Sequence, residues 1–330
     1  MAAEGGDCAD PRILQLRATI LQSNHDIATH EHWDKERACV ILSGGRDSSI
    51  AACAGRQPLG LRAAFTVLAS PGATDRPFAA AVAAAAGLQH RQLDLSLEDV
   101  LQELPTCVRV LQSFDPMTLR NDVAVCAALR AAAAAGFTCA VMGDAADELF
   151  GGYNFTHRLD DAAWQHNRER MARLMRFGSV PLGRHFGLFV ASPFNQPAVI
   201  QAAMQFSKAD CVQLRPAGAG TGACPQREQH EHKQQDTVQQ EDNMQGQQAQ
   251  QQAQPEPGPS PPPLLGKMPL RLAFPEGPTC WRGKDPIEVG CGTTELGDRP
   301  WLPQPAEGYF SRLISDTELR RGGGRRRRKG

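Results

Sequence analysis

No two cysteines in this chain are spaced C-x-x-C, although ten are present. That lack argues against a zinc ribbon or a disulfide framework. Single scattered cysteines read as reduced thiols in a reducing, cytoplasmic compartment. No apolar run reaches the roughly 20 residues a membrane helix needs, so no membrane partner is expected. The first residues, MAAEGGDCADPR, carry neither a basic leader nor an apolar stretch, and a secretory signal is not expected. Charge of one sign is also missing. Lys and Arg number 35 against 36 Asp and Glu, which gives no general pull toward nucleic acid. Two H-x-H pairs, His30 with His32 and His230 with His232, have no cysteine or carboxylate at ligand spacing and read as surface histidines.

What is present is alternation of strand-like and helix-like stretches. Ile13 to Leu21 has helical spacing of apolar residues. Ala38 to Leu42, Leu61 to Ala69, Leu88 to Leu93 and Phe137 to Met142 read as four strands. Helices are expected between them: from Ser48, over Pro77 to Gly87, over Leu97 to Leu111 with a break at Pro105 or a rearrangement around it, and over Asp122 to Ala135. This pattern predicts an α/β fold, a doubly wound parallel sheet with helices on both faces. Beyond Tyr153 the spacing turns helical, over Asp160 to Phe177 and Gln196 to Phe206, as an added helical region. Residues 215–263 are rich in Gln, Pro and Gly and poor in large apolar side chains; they read as a disordered insertion. The division expected is an N-terminal helical extension over 1–34, a nucleotide-binding domain over 35–214, the insertion, a return to that domain over 264–300, and a tail over 301–330. The tail's basic end, Arg325 to Lys329, reads as a solvated terminus, with a nuclear signal as the alternative.

Two polar motifs follow strands. The first is Ser43-Gly44-Gly45-Arg46-Asp47-Ser48-Ser49. Adjacent glycines let the backbone turn several N–H groups toward one point, and a helix N-terminus adds more. With the hydroxyls of Ser43, Ser48 and Ser49, such a turn can hold a pyrophosphate. Asp47 opposes phosphate unless a cation accompanies it, and Mg²⁺ is the natural one. The lysine of a G-x-x-x-x-G-K-S/T phosphate loop is missing. The second motif is Gly143-Asp144-Ala145-Ala146-Asp147-Glu148-Leu149-Phe150-Gly151-Gly152-Tyr153, with three acidic side chains inside five residues.

Together these segments resemble the synthetase domain of the asparagine synthetase family, which carries S-G-G-x-D-S-S and, about a hundred residues on, G-E/D-G-x-D-E-L/V-F-G-G-Y. Gly266 to Arg271 and Trp281-Arg282-Gly283-Lys284 are similar to its K-x-x-L-R and R-x-K elements. The resemblance implies a sheet of the PP-loop ATP pyrophosphatase type and an AMP-forming ligase that makes an amide through an acyl-adenylate, with ATP and Mg²⁺. Aspartate is the carboxylate it suggests. By the resemblance, Ser43 to Ser49 hold pyrophosphate, and Leu42, Val67, Met142 and Gly143 lie against adenosine. Asp47 and Asp147 attend the metal, Glu148 completes the acidic motif, Asp144 takes the nucleophile's proton, Lys284 neutralises the leaving pyrophosphate, and Arg120 stands near the acyl-adenylate. Three departures stand out. Ala2 follows Met1 where the family's glutaminase half begins with cysteine, so ammonia, another amine or a separate amidotransferase chain is expected to supply nitrogen. Asp144 replaces the more usual Glu. Gln196, in Ser192-Pro193-Phe194-Asn195-Gln196, replaces the aspartate of V-P-F-L-D. Alternatives are adenylation of another carboxylate or of a tRNA base, or a nucleotide-binding regulatory protein without turnover.

Overall fold

A computed structural model describes residues 10–215 and 264–293. Most of the Gln/Pro-rich segment, His230, His232 and the basic tail lie outside the described residues. Strands β1 (Ala38–Ile41), β2 (Ala63–Leu68), β3 (Gln89–Asp94), β4 (Cys139–Val141) and β5 (Phe189–Ala191) form one sheet in the order β3-β2-β1-β4-β5. Every pairing in it is parallel. β1 and β2 are buried along nearly their whole length, as expected for strands covered on both faces.

Helices α1 (Pro11–Ala28), α2 (Arg46–Gly55) and α3 (Asp75–Ala85) cover one face, where Leu16, Ile20, Val40, Leu42, Leu59, Leu61 and Val82 pack together. Helices α4 (Leu97–Leu111) and α5 (Pro116–Ala134) cover the other, around Phe65, Val100, Cys107, Val123 and Leu129. Each fully buried Leu, Ile or Phe contributes about 1.5–3 kcal/mol. The remaining helices are α6 (Ala146–Phe150), α7 (Asp161–Leu174), α8 (Ser179–His185), α9 (Pro197–Ala203), α10 (Lys208–Cys211), α11 (Met268–Ala273) and α12 (Ile287–Cys291).

Four expectations need correction. Helix α4 is not broken at Pro105. The proline forfeits one backbone donor, but a Ser96/Asp99 capping box fixes the start and burial of Val100, Cys107 and Val108 holds both halves. Helix α5 begins six residues early because Asp115 caps it, accepting from the Thr118 N–H, and Pro116 occupies the first turn. Helix α2 opens at Arg46 rather than Ser48. The fifth strand, β5, and helix α8 are absent from the sequence reading, which takes the chain beyond Tyr153 as helical.

The two ends of the Gln/Pro-rich segment meet. β6 (Gln213–Leu214) pairs antiparallel with β7 (Leu264–Leu265), returning the chain to the sheet's carboxyl end. Loop closure costs only a logarithm of the loop length, so this return is compatible with a long insertion.

Candidate active site

The chain leaves β1 for β2 on one side and later enters β4 on the other, so the β1/β4 boundary is the sheet's switch point. A crevice opens at such a boundary beyond the strand ends, and both polar motifs sit there. Gly44 has φ +70°, and a Cβ on it would lie 2.4 Å from the Ala79 nitrogen of α3; only glycine fits. Within the loop the Ser43 and Ser48 hydroxyls are 3.0 Å apart, the Gly45 N–H donates to Ser43 Oγ at 3.2 Å, and Ser49 Oγ donates to the Gly45 carbonyl at 2.6 Å. Gly45 caps α2 without a side chain, so the first-turn N–H groups lack a side-chain acceptor and suit an anion.

The acidic turn lies directly against this loop. A Cβ on Gly143 would stand 2.7 Å from Asp47 Cβ and from the Ser48 nitrogen. Two lysines from the C-terminal segment close the group. The Lys267 ammonium pairs with Asp47 Oδ2 and lies 2.5 Å from Asp147 Oδ1. Lys284 pairs with Asp147 Oδ2, its ammonium 5.4 Å from the Tyr153 ring centre. Burial pushes the Asp147 carboxyl up, but Lys267 and Lys284 outweigh it and hold it down at about 2. Burial opposes the Lys267 charge, and the two carboxylates outweigh it and raise its pKa. The Asp47 carboxyl stays above its ordinary range because burial exceeds the help from Lys267.

Asp144, on the same turn, is engaged by Ser179 at the start of α8. Burial lifts its carboxyl to about 6, against a 2.6 Å hydrogen bond from Ser179 Oγ. Asp122, on α5, is lifted to about 7 by burial and then by the charge of Asp144. Burial also raises Glu148, which accepts a 2.6 Å hydrogen bond from Tyr153. Asp75, at the start of α3, reaches about 6 through burial, opposed by Arg282 at 2.7 Å. A carboxyl whose folded pKa exceeds its unfolded one favours folding at low pH, and that contribution fades as pH rises through the folded value. Asp75, Asp122 and Asp144 together therefore lower stability between about pH 4 and pH 7. Asp122→Asn is expected to flatten that decline in urea titrations; an unchanged slope would remove Asp122 from the account.

Ala145 carries a left-handed backbone, φ +79°, at a position where the resembling motif has glycine. The Cβ clash costs roughly 1–2 kcal/mol, and glycine's extra unfolded freedom returns part of it. Ala145→Gly is expected to raise stability by about 0.5–1 kcal/mol, read as a higher denaturant midpoint. A lower midpoint contradicts this account of the turn.

The donor set fits Mg²⁺. Asp47 Oδ1 is buried without a hydrogen-bond partner, and Asp47 and Asp147 offer hard oxygens to the same positive charge. No three His, Cys, Asp or Glu side chains are grouped to hold a metal ion among the described residues. A cation there needs oxygens from elsewhere, as Mg²⁺ takes from phosphates and water.

The structure thus brings Ser43 to Ser49, Gly143, Asp144, Asp147, Glu148 and Lys284 together at the β1/β4 boundary, whereas the Met142 side chain packs into the core on the α4/α5 face. Leu42 is buried and donates its N–H to the Phe65 carbonyl. The Val67 side chain packs on Ala124, Ala127, Ala128 and Cys291, so its backbone alone is left for a nucleotide. Arg120 lies on α5 two residues before Asp122, its carbonyl accepting from Thr293 Oγ1 at 3.2 Å. Gln196 caps α9 and donates to the Ser192 carbonyl at 3.2 Å. His30 stacks on Phe189 with ring centres 4.5 Å apart, far along the sheet from this crevice. Lys267 carries no role in the sequence reading. Its left-handed φ of +63° and its pairing across 220 residues with Asp47 are legible only in three dimensions.

No helix among the described residues is long and apolar enough to cross a membrane. The family model for asparagine synthase matches residues 28–257. Over 191 residues the chain is 24% identical to the glutamine-hydrolyzing asparagine synthetase B of Escherichia coli, covering 52% of this chain and 34% of that protein. It is 26% identical over 180 residues to glutamine-hydrolyzing asparagine synthetase 1 of Arabidopsis thaliana, covering 50% and 31%. It is 30% identical over 128 residues to the glutamine-hydrolyzing asparagine synthetase of Asparagus officinalis, covering 36% and 22%. The matches thus span about a third of these relatives' length at most. Lys267 and Lys284 fall past the end of the family match and enter the site on geometry. On its fold, its two motifs and a match over most of its length, the chain belongs to the asparagine synthase family.

Proposed function

We propose that the chain uses ATP to convert a carboxylate into an acyl-adenylate and then into an amide, releasing pyrophosphate and AMP. Its finer form is aspartate plus ammonia giving asparagine. The observation that carries this reading is the meeting of the serine–glycine loop, Asp47, Asp147 and the two lysines at the switch point of the sheet.

In the first step a carboxylate oxygen attacks the α-phosphorus, and the bond to the bridging oxygen breaks. Charge grows on the departing pyrophosphate. The loop N–H groups and the Lys284 ammonium are placed before the reaction to meet it, which is where preorganised charge acts most strongly. Asp47 and Asp147 would hold Mg²⁺, which would supply further neutralisation of phosphate charge. In the second step the amine nitrogen attacks the acyl carbon and AMP leaves. Ser179 occupies Asp144 Oδ2, leaving Oδ1 to take the proton. Free ammonia, another amine or a separate amidotransferase chain serves as nitrogen donor. Residues 35–214 and 264–300 form one ATP-binding unit around the insertion at 215–263, a division supported by the β6–β7 pairing.

A different carboxylate is the second reading, favoured by Gln196. Its amide is engaged by the Ser192 carbonyl, and it brings no charge where the resembling motif has aspartate. Pyrophosphate release measured across a panel of carboxylic acids, with MgATP and ammonium, separates the two. Stimulation by aspartate alone supports the finer form; stimulation by another acid alone removes aspartate and leaves the chemistry. No release with any acid ends the proposal.

The pKa of Asp144 adds a further test. A base at about 6 is mostly ionised at neutral pH. Amide formation is expected to fall on an acid limb centred near pH 6, and Asp144→Asn to abolish both the limb and most of the rate. A limb that persists in the variant assigns it elsewhere.

A further inference from the structure

The loop's one variable position holds Arg46, and its side chain points away from the phosphate side. It is 5% exposed. Its Nη2 donates to the Leu270 and Phe274 carbonyls, both at 2.8 Å, at the end of α11 and more than 220 residues along the chain. No carboxylate lies within ion-pair distance of it among the described residues, and burial lowers its pKa. A buried cation is a costly way to fill a corner that an apolar side chain could fill. What Arg46 does supply is one guanidinium nitrogen, Nη2, that holds two carbonyls at the end of α11 at once and so fixes α11 to the loop.

The connection continues. Arg271, on α11, donates from Nε to the Gly266 carbonyl at 3.1 Å and from Nη2 to the Arg282 carbonyl at 3.0 Å, and it also holds the Cys280 carbonyl. Gly266 precedes Lys267, and Arg282 stands two residues before Lys284. Arg282 turns back to the loop, its Nη1 reaching the Ser43 carbonyl at 3.4 Å while its guanidinium lies 4.0 Å over Phe78. The cations of the site are therefore placed by backbone that buried arginines pin to the loop.

We infer that Arg46 is a positioning residue for Lys284: it holds the lysine-bearing segment in register with the loop through α11 and Arg271. The inference rests on the pyrophosphate-binding reading above. Binding of magnesium pyrophosphate by calorimetry and ATP–pyrophosphate exchange would be measured in the full chain, in Arg46→Met, Arg46→Lys and Lys284→Met, and in the double variant Arg46→Met/Lys284→Met. Arg46→Met is expected to lower exchange kcat about 10- to 100-fold, the range a displaced catalytic group produces, with KM for ATP moved much less. Arg46→Lys keeps the buried charge, but its shorter side chain leaves the ammonium short of the Leu270 and Phe274 carbonyls, and it is expected to lose nearly as much in kcat, again with KM for ATP moved much less. In the double variant the loss is expected to stay within about twofold of Lys284→Met alone, because a positioning residue has nothing left to position.

Losses that multiply in the double variant overturn the inference, as does unchanged pyrophosphate affinity and exchange in both Arg46 variants. If neither Arg46 variant folds, the residue serves stability and the inference is likewise overturned. A wild-type chain that binds magnesium pyrophosphate but catalyses no exchange refutes the proposed reaction, and the affinities still decide the coupling. A wild-type chain that binds none sinks both.

Discussion

Lys284→Met is expected to lower pyrophosphate-forming turnover by about 10²–10³-fold, the loss typical when one preorganised donor to a developing charge is removed. The expectation follows from where the ammonium stands. Its carboxylate partner, Asp147, is shared with Lys267, so Asp147 does not depend on Lys284 for neutralisation. Lys284 is also the more exposed of the two lysines, with 28% of its side chain accessible against 5% for Lys267. A charge that is spare for the fold and open to the crevice is available to a ligand. Substrate KM should move less than kcat, since the charge that Lys284 meets grows in the transition state. Stability should change little. Single-turnover measurement of pyrophosphate release checks the rate, and a loss smaller than fivefold removes Lys284 from the chemistry.

Much of this site is legible in the sequence because its two halves are local. Ser43 to Ser49 and Gly143 to Tyr153 each follow a strand whose apolar run announces it, and each carries its chemistry within eleven residues. The parallel sheet is legible for the same reason: β1, β2 and β4 are short apolar runs separated by helical spacing. What is hidden depends on separation along the chain. Lys267 meets Asp47 across 220 residues and Arg46 meets Phe274 across 228, and no periodicity records such pairs. Asp122 sits within an apolar helix, where its spacing reads as a tolerated polar residue; its proximity to Asp144 comes only from folding. Pro105 misleads because a rule about isolated helices was set against burial on both sides of it, and burial prevails.

The loop also divides two duties within a single motif. In the proposed reading Ser43, Gly44, Gly45 and Ser48 serve the ligand side, whereas Arg46 and Ser49 serve the fold side; Thr279 Oγ1 donates to Ser49 Oγ at 2.8 Å. The C-terminal segment is therefore a structural part of the loop's support as well as the carrier of two lysines. The site cannot be whole without residues 264–293, although the family match ends before them.

Lys267→Met is expected to be the most destabilising single change at the site, by about 3–5 kcal/mol, the loss that follows when one partner of a buried ion pair is removed and its charge is left behind. Lys267 is 4% exposed and neutralises two carboxylates at once. Without it Asp47 loses its ion-pair partner, and Asp147 retains only Lys284. The methionine fills a similar volume, so a cavity is not the source of the loss. Two results distinguish this electrostatic cause from lost packing. Millimolar Mg²⁺ is expected to restore part of the stability of the variant, since Asp47 then lacks an ion-pair partner and Asp147 has Lys284 alone, and to stabilise the wild-type chain much less. Adding Asp47→Asn to Lys267→Met is expected to recover stability relative to the single variant, because the uncompensated charge is gone. Urea denaturation of the three chains, with and without Mg²⁺, reads both effects. A deficit below about 1 kcal/mol, within the ordinary spread of surface substitutions and far short of a broken buried pair, shows that Asp47 and Asp147 do not need the lysine. The double-carboxylate centre would then have to be relocated from the switch point of the sheet.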